Sequence, residues 1–263
     1  MTDLYNILLS PIVIILVLII SLFIIFKSKI EYMLIGRLLF MVHKYQKQRR
    51  PKRIILVRHG KSIANNNYDI LQKVPDNKIK LSELGVEQAK EAGKKLKEII
   101  GNESIQFYVS PYKRTKQTYE YILESLKDNH SNVIIKSDLR EQEYGNLQSE
   151  MDRQFKEQEE VGVYYYRFKN GESGADVSCR MSIFLQYLFR RILSIDYYSW
   201  DNIIVISHAL TLKFFMMNFL NLPVSKFEQM KQLDNCKFWI LEKNSNGKYH
   251  VKDDIFFPRK DSE

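Results

Sequence analysis

Arg53-Ile54-Ile55-Leu56-Val57-Arg58-His59-Gly60-Lys61-Ser62-Ile63-Ala64-Asn65 reads as a buried strand that stops abruptly in a cation, an imidazole and a glycine. Residues 54–57 form a β-branched, apolar run of the kind that parallel strands bury on both faces. Where such a strand ends, the chain opens into the crevice in which α/β proteins bind ligands. Gly60 lets the backbone turn there and come close to a ligand. Arg58 carries a fork of donors suited to phosphate. His59 beside it is suited to act as a nucleophile or as an acid–base group.

Strands and helices alternate downstream of this stretch. Ser82 caps a helix reaching Ile100, residues 105–109 form a buried strand, and a helix follows over residues 113–126. Short strands are predicted at residues 133–135 and 203–207, with helices at residues 177–195 and 210–220. A strand pair over residues 237–241 and 249–255 closes the series. This alternation predicts an α/β fold with a mainly parallel sheet. Three strands end in reactive groups: Arg58-His59, Ser110, and Ser207-His208. Parallel strands share one carboxyl edge, so these groups can converge, and Arg114 in the next helix can lean over the same edge. Two histidines and two arginines around one concavity suit a phosphoryl dianion.

The chain has 263 residues and a formal charge of +9, which first suggests a nucleic-acid partner. The charge is confined to a flank: residues 27–53 hold nine Lys and Arg against the single Glu31. The rest of the chain is near neutral, so nucleic-acid binding by the domain loses its argument. Cys179 and Cys236 lie far apart and read as core thiols of a reducing compartment. The five histidines lack metal-ligand spacing, so neither a metal nor another cofactor is expected.

Before the domain, residues 7–26 are apolar and uncharged, and about as long as a bilayer-spanning helix. The basic flank on one side only predicts a single-pass anchor in the lipid bilayer, with the domain facing the cytoplasm. The expected organisation is an anchor over residues 1–26, a basic juxtamembrane segment over 27–52, a domain over 53–257 and a tail over 258–263. Met33, Leu34, Leu38, Met41, Val42 and Tyr45 fall on one side of an amphipathic helix within that flank.

Together these motifs resemble the histidine phosphatase superfamily, the phosphoglycerate-mutase-like proteins. Arg58-His59-Gly60-Lys61-Ser62 with Asn65 matches R-H-G-x-S-x-x-N, and Ser110, Arg114 and Thr118 match the second motif. Leu139-Arg140-Glu141 with Gly145, Gly171-Glu172-Ser173, and Val205-Ile206-Ser207-His208 match the rest in order. The details are most similar to plant and fungal phosphoglycerate-mutase-like proteins described as broad-range acid phosphatases. The resemblance implies a three-layer α/β/α fold, a phosphorylated substrate and a phosphohistidine formed on His59. It implies that Arg58, Ser62, Asn65, Arg114 and His208 bind the phosphoryl group, and that Glu141 transfers the proton. It favours hydrolysis of phosphate monoesters, with a phosphoglycerate-type mutase and an inactive membrane-tethered binding module as the alternatives.

Two positions depart from the family pattern. Lys61 stands where Glu or Gln is common and is expected to draw a more anionic substrate. Ala209 stands where Gly is usual: either its methyl group crowds the pocket, or the backbone there needs no positive φ. Residues 147–170 are expected to carry specificity. Tyr164, Tyr165, Tyr166 and Phe168 either line a lid over the leaving group or pack that lid onto the body.

Overall fold

The computed structural model describes residues 11–65, 68–145, 150–194 and 199–256. The chain divides into two units, Met1–Gln48 and Arg49–Glu263. The first is built on one continuous helix, α1 (Pro11–Arg49), which ends two residues before Pro51. Along it Ile30, Ile35, Leu39 and Phe40 are exposed together with Met33, Leu34 and Leu38. Among the described residues no helix is long and apolar enough to cross a membrane. The described uncharged run, residues 11–26, meets Lys27, Lys29 and Glu31, whereas a span needs about 20 apolar residues. The single-pass span predicted over residues 7–26 is therefore unsupported by the described residues. Its first four positions, like the predicted tail, lie outside them.

The second unit holds a six-stranded mixed sheet in the order β3-β2-β4-β1-β5-β6. Its strands are β1 (Arg53–Arg58), β2 (Ile105–Val109), β3 (Ser131–Ile135), β4 (Asn202–Ser207), β5 (Phe238–Lys243) and β6 (Tyr249–Val251). The first four are mutually parallel, β5 runs antiparallel to β1, and β6 runs antiparallel to β5. The helices are α2 (Glu83–Ile100), α3 (Lys113–Leu126), α4 (Met151–Val161), α5 (Gly174–Leu193), α6 (Ala209–Phe219) and α7 (Val224–Glu228).

Strand alternation sorts the core into two layers. Ile54 and Leu56 face Met181, Phe184 and Leu188 of α5 and Leu212 and Phe215 of α6. Ile55 and Val57 face Ala89, Ala92 and Leu96 of α2 and Ile122 and Leu126 of α3. A sheet covered on both faces is the three-layer α/β/α arrangement. The helix starts follow local chemistry: Ser82 Oγ accepts from Gly85 N, and Ser173 and Asp176 form a reciprocal capping box on α5. Cys236 is buried, its thiol pushed up to about 12 by burial. Cys179, expected in the core, is exposed on α5.

Gly60 is required for packing rather than for an unusual φ. A Cβ there would meet the Gly85 carbonyl at 2.4 Å, and one on Gly85 would meet the Lys61 carbonyl at 2.0 Å. The loop after β1 and the first turn of α2 thus cross backbone to backbone. Gly85→Ala should force them apart and cost about 1–3 kcal/mol. Urea unfolding of the purified protein checks this, the expected outcome being a lower midpoint at unchanged slope.

Candidate active site

Register places the site. Arg58 pairs with Ser207 across β1 and β4, and Val109 pairs with Ile206 across β2 and β4. His59, His208 and Ser110 therefore leave three adjacent strands at one level. His59 N donates to the Ser207 carbonyl (3.0 Å), and Ser110 N to the Ile206 carbonyl (3.0 Å). Thr118 of α3 accepts from Gly60 N (3.1 Å), and Asn235 Nδ2 donates to the His59 carbonyl (2.9 Å). The loop bearing His59 is thus fixed from α3 and from the chain preceding β5.

The His59 ring is buried, and its Nδ1–H donates to the carbonyl of Gly60 (2.7 Å). That bond selects the tautomer in which Nε2 keeps its lone pair. Arg114 Nε lies 3.3 Å from this Nε2. Burial, then the nearby Arg114, hold the His59 pKa well below its ordinary 6.5. His208, its ring centroid 5.1 Å from that of His59, is lowered for the same two reasons. Its Nε2 lies 2.9 Å from Ser110 Oγ, and its buried Nδ1 has no hydrogen-bond partner among the described residues.

The pocket has a volume of about 260 Å³, and Arg58, His59, Ser62, Asn65, Arg114 and Glu141 all line it. Arg58 Nη1 donates to the Leu233 carbonyl (2.7 Å). Ser62 and Asn65 brace each other, the Asn65 oxygen accepting from Ser62 N and Oγ (both 2.9 Å). Of the sequence-derived set, only His208 lies beneath the surface rather than on it.

Glu141 is buried. Its Oε1 accepts from Gln142 N (3.0 Å) and lies 3.2 Å from Thr211 Oγ1. Burial raises its pKa, against the opposing pull of Arg114. The backbone carrying it is gripped by Arg180, which donates to the carbonyls of Asp138 (2.5 Å), Arg140 (2.9 Å) and Glu141 (3.1 Å). Arg180 and Arg140 in turn pair with Glu172.

Some expectations are corrected here. Lys61 does not line the pocket; its backbone is engaged by Gln88 and Ser82. Ala209 is the first residue of α6 and has no positive φ, so a methyl group fits the backbone there. Of the two readings of the aromatic run the packing one is seen: Tyr164 lies against Phe214 of α6, and Phe168 against Tyr144 and Phe155. The wall of the pocket instead comes from Tyr144, Met151 and Phe155. Residues 147–149 of the expected lid lie outside the described residues.

Sequence reasoning missed Asp76, Thr211 and Arg180. Asp76 Oδ1 and Oδ2 accept from Arg114 Nη1 (2.7 Å) and Nη2 (3.2 Å), leaving the Nε edge toward His59. No spacing rule links residues 76 and 114. Only the Arg180 signal, an arginine inside an otherwise apolar helix face, was available in the sequence.

A parallel-sheet edge with two neutral histidines, two arginines and a buried carboxyl group is the site of an enzyme that handles phosphoryl groups. The sequence profile of the histidine phosphatase superfamily (branch 1) matches residues 54–253, and the chain belongs to that superfamily. It is 37% identical over 220 residues to a phosphoglycerate mutase-like protein of Arabidopsis thaliana, covering 78% of each chain. It is 23% identical to a broad-range acid phosphatase of Saccharomyces cerevisiae, covering 73% of this chain and 86% of that one. A mycobacterial glucosyl-3-phosphoglycerate phosphatase shares the fold, with a TM-score of 0.61 at 19% identity over 78% of this chain and 100% of that one.

Buried neutral histidines couple stability to pH. The unfolded chain takes up protons on them near pH 6.5 and the folded chain does not, so stability falls as pH drops below about 6.5. Glu141 has the opposite sign: the folded state keeps a proton that the unfolded state loses near 4.5, which costs stability above that pH. His208→Gln should flatten the acid-side loss, read as the urea midpoint against pH.

Proposed function

We propose that this protein hydrolyses phosphate monoesters through a phosphohistidine on His59. The observation that carries the reading is the state of that ring: Nδ1–H is tied to Gly60, and Nε2, on the pocket side, accepts from Arg114 Nε (3.3 Å), a donor that an incoming phosphoryl oxygen can take over. A neutral imidazole so held can attack phosphorus through Nε2. Arg58, the Nε edge of Arg114, Ser62 and Asn65 bind the phosphoryl oxygens as negative charge shifts onto them. The buried Nδ1 of His208 supplies a further donor from below. Glu141, kept protonated by burial, gives its proton to the departing oxygen. Its carboxylate then takes one from the water that cleaves the N–P bond. The relatives described as acid phosphatase and as mutase-like add weight to phosphoryl chemistry of this kind.

His59→Ala should abolish turnover and the acid-labile phosphoenzyme together; label persisting in that variant would mean another nucleophile. Glu141→Gln should slow hydrolysis of alkyl phosphates by about 10²–10⁴-fold. With p-nitrophenyl phosphate it should still release a burst of nitrophenolate, because that leaving group needs no proton. Alkyl phosphates turned over at the unaltered rate would remove Glu141 from the mechanism.

A membrane attachment through residues 7–26 belongs to the same reading. It is supported by the uncharged run in the sequence, by the exposure of every side chain over residues 15–26, and by the basic residues that follow. With the flank cytoplasmic, the domain acts on the cytoplasmic side. The protein should stay in the membrane pellet after alkaline carbonate, and deletion of residues 1–29 should free it. Release of the full chain by carbonate alone would reduce the attachment to a surface one.

A further inference from the structure

The phosphoryl end and the leaving-group end of the pocket differ in character. Glu141 protonates the departing oxygen, so the leaving group lies beside the loop of residues 141–145. That loop contributes Tyr144 to the pocket lining, and α4 contributes Met151 and Phe155; Leu71 and Leu210 are further apolar members, with Gln142 and Gln232 the uncharged polar ones. Tyr144 and Phe155 meet edge to face at 5.9 Å, and both lean on the buried Phe168, which fixes this wall.

Charge points the same way. Among the described residues the only cations lining the pocket are Arg58 and Arg114, both assigned to the phosphoryl group. Three carboxyl groups line it: Asp76, Glu141 and Glu143. Asp76 already holds the outer end of the Arg114 fork, at 2.7 and 3.2 Å. Glu143 accepts from Tyr112 Oη (3.3 Å), pairs with Arg140 (3.5 Å) from outside the lining, and stands partly open to solvent. A second anionic group on the substrate would face these carboxylates with no further cation among the described lining residues to receive it.

We infer that the substrate is a phosphate monoester of an uncharged, largely apolar alcohol, and that Asp76 and Glu143 reject leaving groups carrying a carboxylate or a second phosphate. The inference rests on the phosphatase reading above. It sets this pocket against phosphoglycerate and bisphosphate substrates, and so against a mutase. Asp76 has a double effect: it turns the Nε edge of Arg114 toward His59, and its charge screens the incoming leaving group.

The test compares kcat/KM of the full chain for short alkyl phosphates, glycerol 3-phosphate and 3-phosphoglycerate. Each methylene added to the alkyl chain should raise kcat/KM by about twofold to fourfold until the wall is filled. Hexyl phosphate should exceed 3-phosphoglycerate by at least about tenfold, the size expected when like charges are brought together. Asp76→Asn should lower activity on all esters through Arg114 yet shrink that ratio. Glu143→Gln, at a partly exposed site, should shrink the ratio even if Asp76→Asn does not fold. Hexyl phosphate in solution and lysophosphatidate in phosphatidylcholine vesicles separate a soluble from a membrane source of the same chemistry. Equal or faster turnover of 3-phosphoglycerate, with phosphohistidine formed on His59, would overturn this inference and leave the phosphatase reading standing. No turnover of any ester, and no phosphohistidine, would overturn both.

Discussion

The parallel pairing of β1 with β4 is the constraint on which the rest depends. With Arg58 opposite Ser207, the residues that follow, His59 and His208, leave neighbouring strands side by side. A slip of one residue would turn Ile54 and Leu56 from one core layer to the other and carry His59 out of the pocket. Burial of alternate side chains on both faces makes that slip prohibitive. The hydrophobic core thus positions the reactive ring.

The site combines groups that resist one another. Two imidazoles lie beside arginines in a buried setting, which holds both pKa values well below the ordinary 6.5, while burial raises that of Glu141. Cations, burial and the Gly60 hydrogen bond together select one protonation state for each group. The ion pairs of Arg180 and Arg140 with Glu172 lie behind the Glu141 loop and hold its backbone carbonyls. Buried pairs of this kind seldom add much stability. Their effect here is to fix the place of the proton donor.

Much was legible because it is local. A β-branched run followed by Arg-His-Gly, a serine before a helical period and short polar breaks reflect backbone preferences within a few residues. The observed elements fall close to those readings: α3 is Lys113–Leu126 and α6 is Ala209–Phe219. The ordered motifs named seven site residues, of which six line the pocket and the seventh, His208, is buried beneath it; Asp76, which also lines it, was not among them. The long apolar run near the start was legible as composition, but among the described residues no helix is both long and apolar enough to cross a membrane.

The sequence by itself determined the α/β alternation, the strand ends that bear the reactive groups and the confinement of excess charge to residues 27–53. Each depends on neighbours along the chain. Only the tertiary structure decided that Asp76 grips Arg114, that Arg180 holds the Glu141 loop, and that Gly60 is needed for its crossing with Gly85. It also decided that Tyr144, Met151 and Phe155, rather than the tyrosine run, form the wall, and that Lys61 stays outside. These contacts join residues far apart in sequence, and their geometry is set by how the layers pack. No spacing along the chain encodes a distance across the sheet edge.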